Sequence, residues 1–324
     1  MAQKVVIALG GNAILQPKQQ ATYENQVDNV RKCCEVIARI VRQGYEVIIT
    51  HGNGPQVGNI LRQQDEAKEV VPPFPLDVCS AESQGFIGYM MNQCLKNELQ
   101  KLGLSNHVTS MLTLTEVSKE DPAFLDPAKP IGVFYSEEEA RQLAEEKGWI
   151  VKEDAGRGWR RVVPSPMPIS IIGAHFIRSL TDQGAIVIAA GGGGIPVYRQ
   201  ADGTLIGVEA VIDKDRSGYQ LAQDVDADIF MILTDVENVY VNYGTPQQKS
   251  LGTISLEEAQ QYADEGQFSA GSMGPKMEAA IGFAERGGMS VICSLDQADL
   301  ALEGKSGTRI IRENDYYKCA SQSG

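Results

Sequence analysis

The stretch "KVVIALGGNA", residues 4–13, carries a short apolar run straight into two glycines and an asparagine. Four more runs of the same kind follow: "YEVIIT" (45–50), "AIVIAA" (185–190), "IFMILT" (229–234) and "MSVICS" (289–294). Each is rich in Val and Ile and is bounded by Gly, Asp or Asn. Uninterrupted apolar runs of this length suit strands buried on both faces, as in a parallel sheet covered by helices. Helical patterns lie between them. Residues 22–43 place Val27, Val30, Cys34, Ile37 and Val41 at helical spacing, with Gly44 as the stop. A second helix is expected over 80–102, opening at Ser80, and a third over 255–265, opening at Ser255 with Glu257 and Glu258 in its first turn. Strands alternating with helices predict an α/β fold, a three-layer sandwich with a central, mainly parallel sheet.

Composition bounds the function. The chain has 324 residues, 43% of them hydrophobic and 22% charged, as in an ordinary globular protein with a sizeable core. Its net charge of −13 argues against a nucleic-acid partner or an anionic membrane surface. No signal or transit peptide is expected ahead of the first strand, and no apolar run is long enough to span a bilayer. The six cysteines, Cys33, Cys34, Cys79, Cys94, Cys293 and Cys319, form no C-x-x-C pair, and with three histidines a zinc site is not expected. They read as reduced thiols in a cytoplasmic protein.

Residues 118–168 break the rhythm. They hold six of the fourteen prolines and both tryptophans, and read as a small subdomain projecting from the sheet. A functional lid and an ornamental insertion look alike at this level. The residues after Arg312 show no pattern and read as a tail.

Three strand candidates end in glycine loops: "LGGNA" (9–13), "THGNGPQVG" (50–58) and "AGGGGIP" (190–196). Ligands of open α/β sheets bind at the carboxyl ends of strands, and glycine lets backbone amides approach an anion closely. One such loop is usually only a tight turn; three together point to phosphate chemistry. The common nucleotide fingerprints are absent. Gly52, Gly54 and Gly58 are one residue too widely spaced for the dinucleotide pattern, and "GKS" at 304–306 lacks the P-loop glycine, Asp299 standing in its place.

Three lysines stand out. Lys214 lies between Asp213 and Asp215, Lys276 follows Pro275 at a helix start in "GSMGPK" (271–276), and Lys129 precedes a proline in the projecting segment. A loop lysine is most often a solvated charge. Lys276, however, faces the positive end of a helix with no nearby acid before Glu278, and a bound phosphate would relieve it. Capping alone accounts for Ser272 and Pro275. Phosphoryl transfer needs positioning and charge neutralisation, and no general base where the acceptor is already an anion. His51 sits in a glycine loop, where an anchoring role is at least as natural as a catalytic one.

Together "ALGGNAIL", "HGNGPQVG", "KPIGVFY", "EDAGRGWRRVVPSP", "GVEAVIDKD", "ILTDVENVYVN" and "GSMGPKMEAAI" resemble the carbamate kinases, within the amino-acid kinase superfamily, over nearly the whole chain. The resemblance implies an N-terminal lobe (1–195) for carbamate or carbamoyl phosphate, with 118–168 as a substrate-covering protrusion. It implies a C-terminal lobe (196–312) for ADP or ATP with Mg²⁺, a tail (313–324) and a homodimer. The reaction implied is carbamoyl phosphate + ADP ⇌ ATP + carbamate. On the substrate side it places Gly10, Gly11 and Asn12 at the transferred phosphoryl group and Gly52 and Asn53 at carbamate, with Lys129 brought in by the protrusion. On the nucleotide side it places Lys214, Lys276, Asp235, Met273 and Gly274, with Asp215 orienting the lysines and no protein metal ligand. Gly218 departs from the pattern, so the helix after "IDKD" is expected to start late. The alternatives are a superfamily kinase acting on a larger carboxylate such as acetylglutamate, or a nucleotide-binding regulator without chemistry.

Overall fold

The computed structural model describes residues 2–154, 156–269 and 273–312. The chain opens with β1 (Lys4–Leu9), α1 (Tyr23–Arg42), β2 (Glu46–His51), α2 (Gly54–Ala67) and α3 (Leu76–Lys101), then β3 (Val108–Ser110) and β4 (Leu114–Val117). The insertion supplies β5 (Lys129–Tyr135), α4 (Glu137–Lys147), β6 (Ile150–Glu153) and β7 (Trp159–Val163), and β8 (Pro168–Ile171), α5 (Ala174–Asp182) and β9 (Ile186–Ile188) return to the body. Next come β10 (Ile195–Arg199), β11 (Leu205–Gly207), α6 (Lys214–Asp224), β12 (Ile229–Thr234), a short hairpin of β13 (Tyr240–Val241) and β14 (Lys249–Ser250), and β15 (Thr253–Ser255). The last elements are α7 (Leu256–Asp264), α8 (Met273–Glu285), β16 (Met289–Ser294), α9 (Ala298–Leu302) and β17 (Thr308–Ile311).

Eight strands form the central sheet in the order β15-β17-β16-β12-β1-β2-β9-β3. All neighbours run parallel except β16 and β17. Every residue of β1 is buried, and its alternation sorts the two cores. Val5, Ile7 and Leu9 meet α1, α3 and α9 through Ile37, Met91 and Ala301. Val6 and Ala8 meet α5, α6 and α8 through Ile177, Leu221 and Ala280. This is the three-layer α/β/α sandwich that the apolar runs predict.

Most local signals hold. Thr22 caps α1 by accepting from the Asn25 amide, and Ser255 forms a capping box with Glu258 at α7. Two expectations need correction. The second helix begins at Leu76, not Ser80, which is buried inside it. The helix after "IDKD" does not start late: α6 runs from Lys214, because the Asp213 carboxylate accepts from the Asp215 and Arg216 amides. Gly218 lies within α6 for a packing reason. A methyl group there would come within 3.1 Å of the Phe230 ring and 3.5 Å of the Ala8 side chain. Ser272 and the tail from residue 313 lie outside the described residues.

The insertion is a subdomain in its own right, a three-stranded antiparallel sheet β5-β7-β6 carrying α4. It sits on α2 through Ile131 and Val163, which join Val57, Ile60, Leu76 and Val211 in a third apolar cluster. A separate four-stranded sheet, β11-β10-β4-β8, links residues on both sides of the expected lobe boundary at 195.

Gly218→Ala sets helix propensity against packing. Alanine favours a helix interior by about 1 kcal/mol, but overpacking against a fully buried ring costs about 1–3 kcal/mol. We expect net destabilisation of about 1 kcal/mol, read from the midpoint of urea unfolding. A midpoint at or above that of the parent protein would show that Phe230 yields.

Candidate active site

Because β1, β2, β9 and β12 are parallel and in register, their carboxyl ends lie side by side. Leu9 pairs with His51 on one side and Leu233 on the other, and Ile49 pairs with Ile188. The chain leaves β1 towards β2 and later returns to β12 on the opposite side, so β1 and β12 flank a topological switch point. Across it the Asn12 amide donates to Asp235 at 2.6 Å.

A cavity of about 310 Å³ opens beside these ends. The first residues of three helices reach it: Gly54 and Pro55 of α2, Lys214 and Asp215 of α6, and Pro275 and Lys276 of α8. Each helix start contributes positive potential. From the subdomain come Lys129, Pro130 and Ile131, and from the glycine loops Gly11, Gly52, Asn53 and Gly192.

The three lysines share two aspartates. Lys129 Nζ lies 2.7 Å from Asp213 Oδ2. Lys214 Nζ lies 2.5 Å from Asp215 Oδ1, and Lys276 Nζ lies 3.2 Å from Asp215 Oδ2. Asp215 is buried and divides its two oxygens between two ammonium groups. Burial alone would raise the Asp213 carboxyl, but Lys129, the Asp215 amide and Lys214 hold it down at about 2. Among the described residues, three cations against two anions leave one positive charge in excess. A phosphate dianion fits that excess and the helix starts.

Lys276 therefore does have an acid partner, contrary to the expectation from its neighbours. Asp215 stands 61 positions earlier, and Glu278 pairs with Arg216 instead. Asp213, adjacent to Lys214 in the chain, accepts from Lys129, 84 positions away, while capping α6. These pairings carry no local sequence signal.

The glycine loops answer to packing as well as to the cavity. A methyl group on Gly52 would come 3.0 Å from the Gly11 amide nitrogen and 3.3 Å from the Lys214 side chain. In the 191–194 run, methyl groups would collide with the His51 ring, the Asn53 amide, the Ile212 carbonyl and the Thr115 hydroxyl in turn. Only Gly192 of the four lines the cavity. Asn53 is held by donation to Ser83 Oγ at 2.8 Å. His51 is buried, and its Nδ1 donates to the Gly52 carbonyl at 3.0 Å. Burial pushes its imidazole down to about 4, partly offset by that hydrogen bond, so the ring is neutral at pH 7 and anchors the loop.

The remaining sequence-derived positions stand around the cavity, not in its wall. Gly10 opens the turn that follows β1. Met273 packs partly into the second core cluster. Gly274, next along α8, borders a neighbouring cleft with Tyr219 and Phe268. Conversely Val57, Val211 and Ile212, apolar walls of the cavity, look in sequence like any other core residues.

Residues 3–294 match the amino acid kinase family. The chain is 55% identical to a carbamate kinase of Pyrococcus furiosus over 314 residues, 96% of this chain and all of that one. The chain belongs to the amino acid kinase family, on its carbamate kinase branch. A carbamate kinase of Staphylococcus epidermidis is 46% identical over 95% of this chain and 99% of that one. Among solved structures of the branch, the carbamate kinase of Giardia lamblia bound to AMP-PNP superposes with a TM-score of 0.90 at 47% identity, over 96% of this chain and 99% of that one.

His51 makes a pH test possible. Its folded-state value of about 4 lies below the ordinary 6.5, so between those limits the unfolded chain binds more protons. Its contribution is fully present above pH 6.5 and is lost as the pH falls through 4. Unfolding free energy should therefore fall with pH across that window, most steeply near its middle, where the slope approaches the limit of about 1.4 kcal/mol per pH unit. His51→Asn should remove that slope in urea titrations between pH 7 and 5, and an unchanged slope would mean the ring is not buried neutral.

Proposed function

We propose that this protein catalyses reversible phosphoryl transfer between carbamoyl phosphate and Mg-ADP, yielding ATP and carbamate. The observation that carries the reading is the gathering of Lys129, Lys214 and Lys276 on Asp213 and Asp215, in a cavity bordered by three helix starts. Its kinship with carbamate kinases over nearly the full chain supports the same reaction.

The chemistry follows from charge. In phosphoryl transfer the moving group spreads negative charge over its equatorial oxygens, and catalysis is mostly positioning and neutralisation. The aspartates hold the lysines in place before any ligand arrives, so little reorganisation is left for the transition state. Lys214 and Lys276 neutralise the nucleotide phosphates, with Asp235, Met273 and Gly274 on that side. Lys129 completes the shell from above. Gly10, Gly11 and Asn12 face the transferred group, and Gly52 and Asn53 hold carbamate. Carbamate is already an anion and needs no base, which agrees with His51 being buried and neutral.

Mg²⁺ enters with the nucleotide as part of the substrate, held by phosphates and water. Among the described residues no cluster of His, Cys, Asp or Glu is built to hold a metal ion, and the cavity's two aspartates are already engaged by lysines. No arginine lines the cavity among the described residues, and its walls include Val57, Ile131 and Val211. That disfavours an acceptor such as acetylglutamate, which needs a second cation for its α-carboxylate.

The same proposal assigns substrate binding to a lobe of residues 1–195, nucleotide binding to 196–312, and homodimer formation through the exposed edge of the sheet at β3, beside Tyr89 and Leu112. A cytoplasmic location is supported by the five cysteines among the described residues, all free and buried. Among the described residues no helix is long and apolar enough to cross a membrane.

The test is ATP production from carbamoyl phosphate and Mg-ADP, followed with luciferase. Lys276→Met should lower kcat about 10²- to 10³-fold, the usual loss for one group stabilising transition-state charge, with an unchanged circular dichroism spectrum. No ATP above the uncatalysed rate from the parent protein would remove the proposed reaction.

A further inference from the structure

Lys129 is carried by a subdomain whose apolar seat on α2 is small, and behind that seat lies a cleft of about 370 Å³ between α2, β5 and Trp149. Packing alone does not close this gap. A polar strap spans it. On the body, Asp65 of α2 accepts from Lys147 Nζ at 2.7 Å with both oxygens. Lys147 Nζ lies 4.7 Å from the Trp149 ring centroid, and the Arg161 guanidinium lies 5.0 Å from it. Arg161 then donates to Glu209 Oε2 at 3.2 Å. The other Glu209 oxygen faces the amide of Leu76, at 3.5 Å. An indole thus meets two cations, each paired to a carboxylate on a different part of the body.

The strap connects directly to the site. Arg161 pairs across the subdomain sheet with Ile131, which lines the active-site cavity, and its neighbour Val163 pairs with Lys129. Glu209 lies four residues before Asp213, the partner of Lys129. One short segment, 209–213, therefore grips both paired strands of the subdomain. We propose that Asp65, Lys147, Trp149, Arg161 and Glu209 form a positioning strap that sets the stance of the subdomain and so the placement of Lys129 over the bound phosphoryl group. None of the five is a catalytic residue; they act through Lys129, and the inference rests on the reaction proposed above.

Glu209→Gln and Asp65→Asn test it. Each is expected to raise KM for carbamoyl phosphate about three- to tenfold, the worth of one partly screened ion pair, while KM for Mg-ADP stays within about twofold. Arg161→Met with Glu209→Gln should be no worse than Arg161→Met alone, because both remove the same link. Amide hydrogen exchange across residues 129–135, which needs no turnover, should quicken in Glu209→Gln while exchange in α6 and the central sheet does not. Unchanged KM for carbamoyl phosphate in both single variants would overturn the strap. So would a parallel rise of both KM values with a lowered Tm, or unaltered exchange at 129–135. A parent protein that makes no ATP would instead overturn the reaction, and the exchange measurement would still decide the strap.

Discussion

The site depends on holding three like charges together before any substrate is present. Ammonium groups placed around one cavity repel, and the repulsion grows as water is excluded. Asp213 and Asp215 offset most of it, and burial of Asp215 strengthens the hold on Lys214 and Lys276. Among the described residues the compensation is incomplete by one charge, in a protein whose net charge is −13. The local excess is what an anionic ligand meets. Full neutralisation would leave nothing for phosphate to bind, and no neutralisation would splay the lysines.

That balance needs a rigid platform, which the parallel sheet supplies. Alternation along β1 anchors a helical layer on each face, so the strand ends cannot shift relative to one another. The helices that follow deliver their N-termini to the same edge. Close backbone contacts fix the loops between them: Gly52 lies against Gly11, and the 191–194 run against His51, Asn53, Ile212 and Thr115. Glycine here permits approach between protein segments as much as approach to an anion. The number of glycines at such an edge therefore overstates the number of phosphate contacts.

This bears on what was legible in the sequence. Apolar runs, the cap at Ser255 and the three glycine loops are local properties, and each falls within a residue or two of its expected place. The prolines and tryptophans mark a projecting segment at 118–168, of which 129–163 form the small antiparallel sheet with its helix. The partners of Lys129 and Lys276 were not legible from the neighbouring residues, although the resemblance implied Asp215 for the nucleotide-side lysines. Lys129 meets Asp213 across 84 positions and Lys276 meets Asp215 across 61, and such pairs exist only once the sheet has folded. The misreading of Gly218 has the same origin. As a helix residue it looks like a defect, and only the closeness of the Phe230 ring and the Ala8 side chain explains it. Ser80 misled in the opposite sense, resembling a cap while buried inside α3.

The lysines differ in how they are held, and the difference separates fixed from adjustable charge at the site. Lys214 and Lys276 stand on helices packed against the central sheet and share one buried carboxylate. Their geometry is a property of the body. Lys129 stands on a separate sheet with its own partner, and Asp213 is less buried than Asp215. Two cations are thus preset, while the third depends on the stance of a smaller element. An anion reaching the preset pair meets a nearly finished surface. The acceptor side is finished only when the subdomain is seated, so the excess positive charge is complete only in that arrangement. Separating the fixed from the adjustable cations lets substrate enter without first breaking the pair on Asp215.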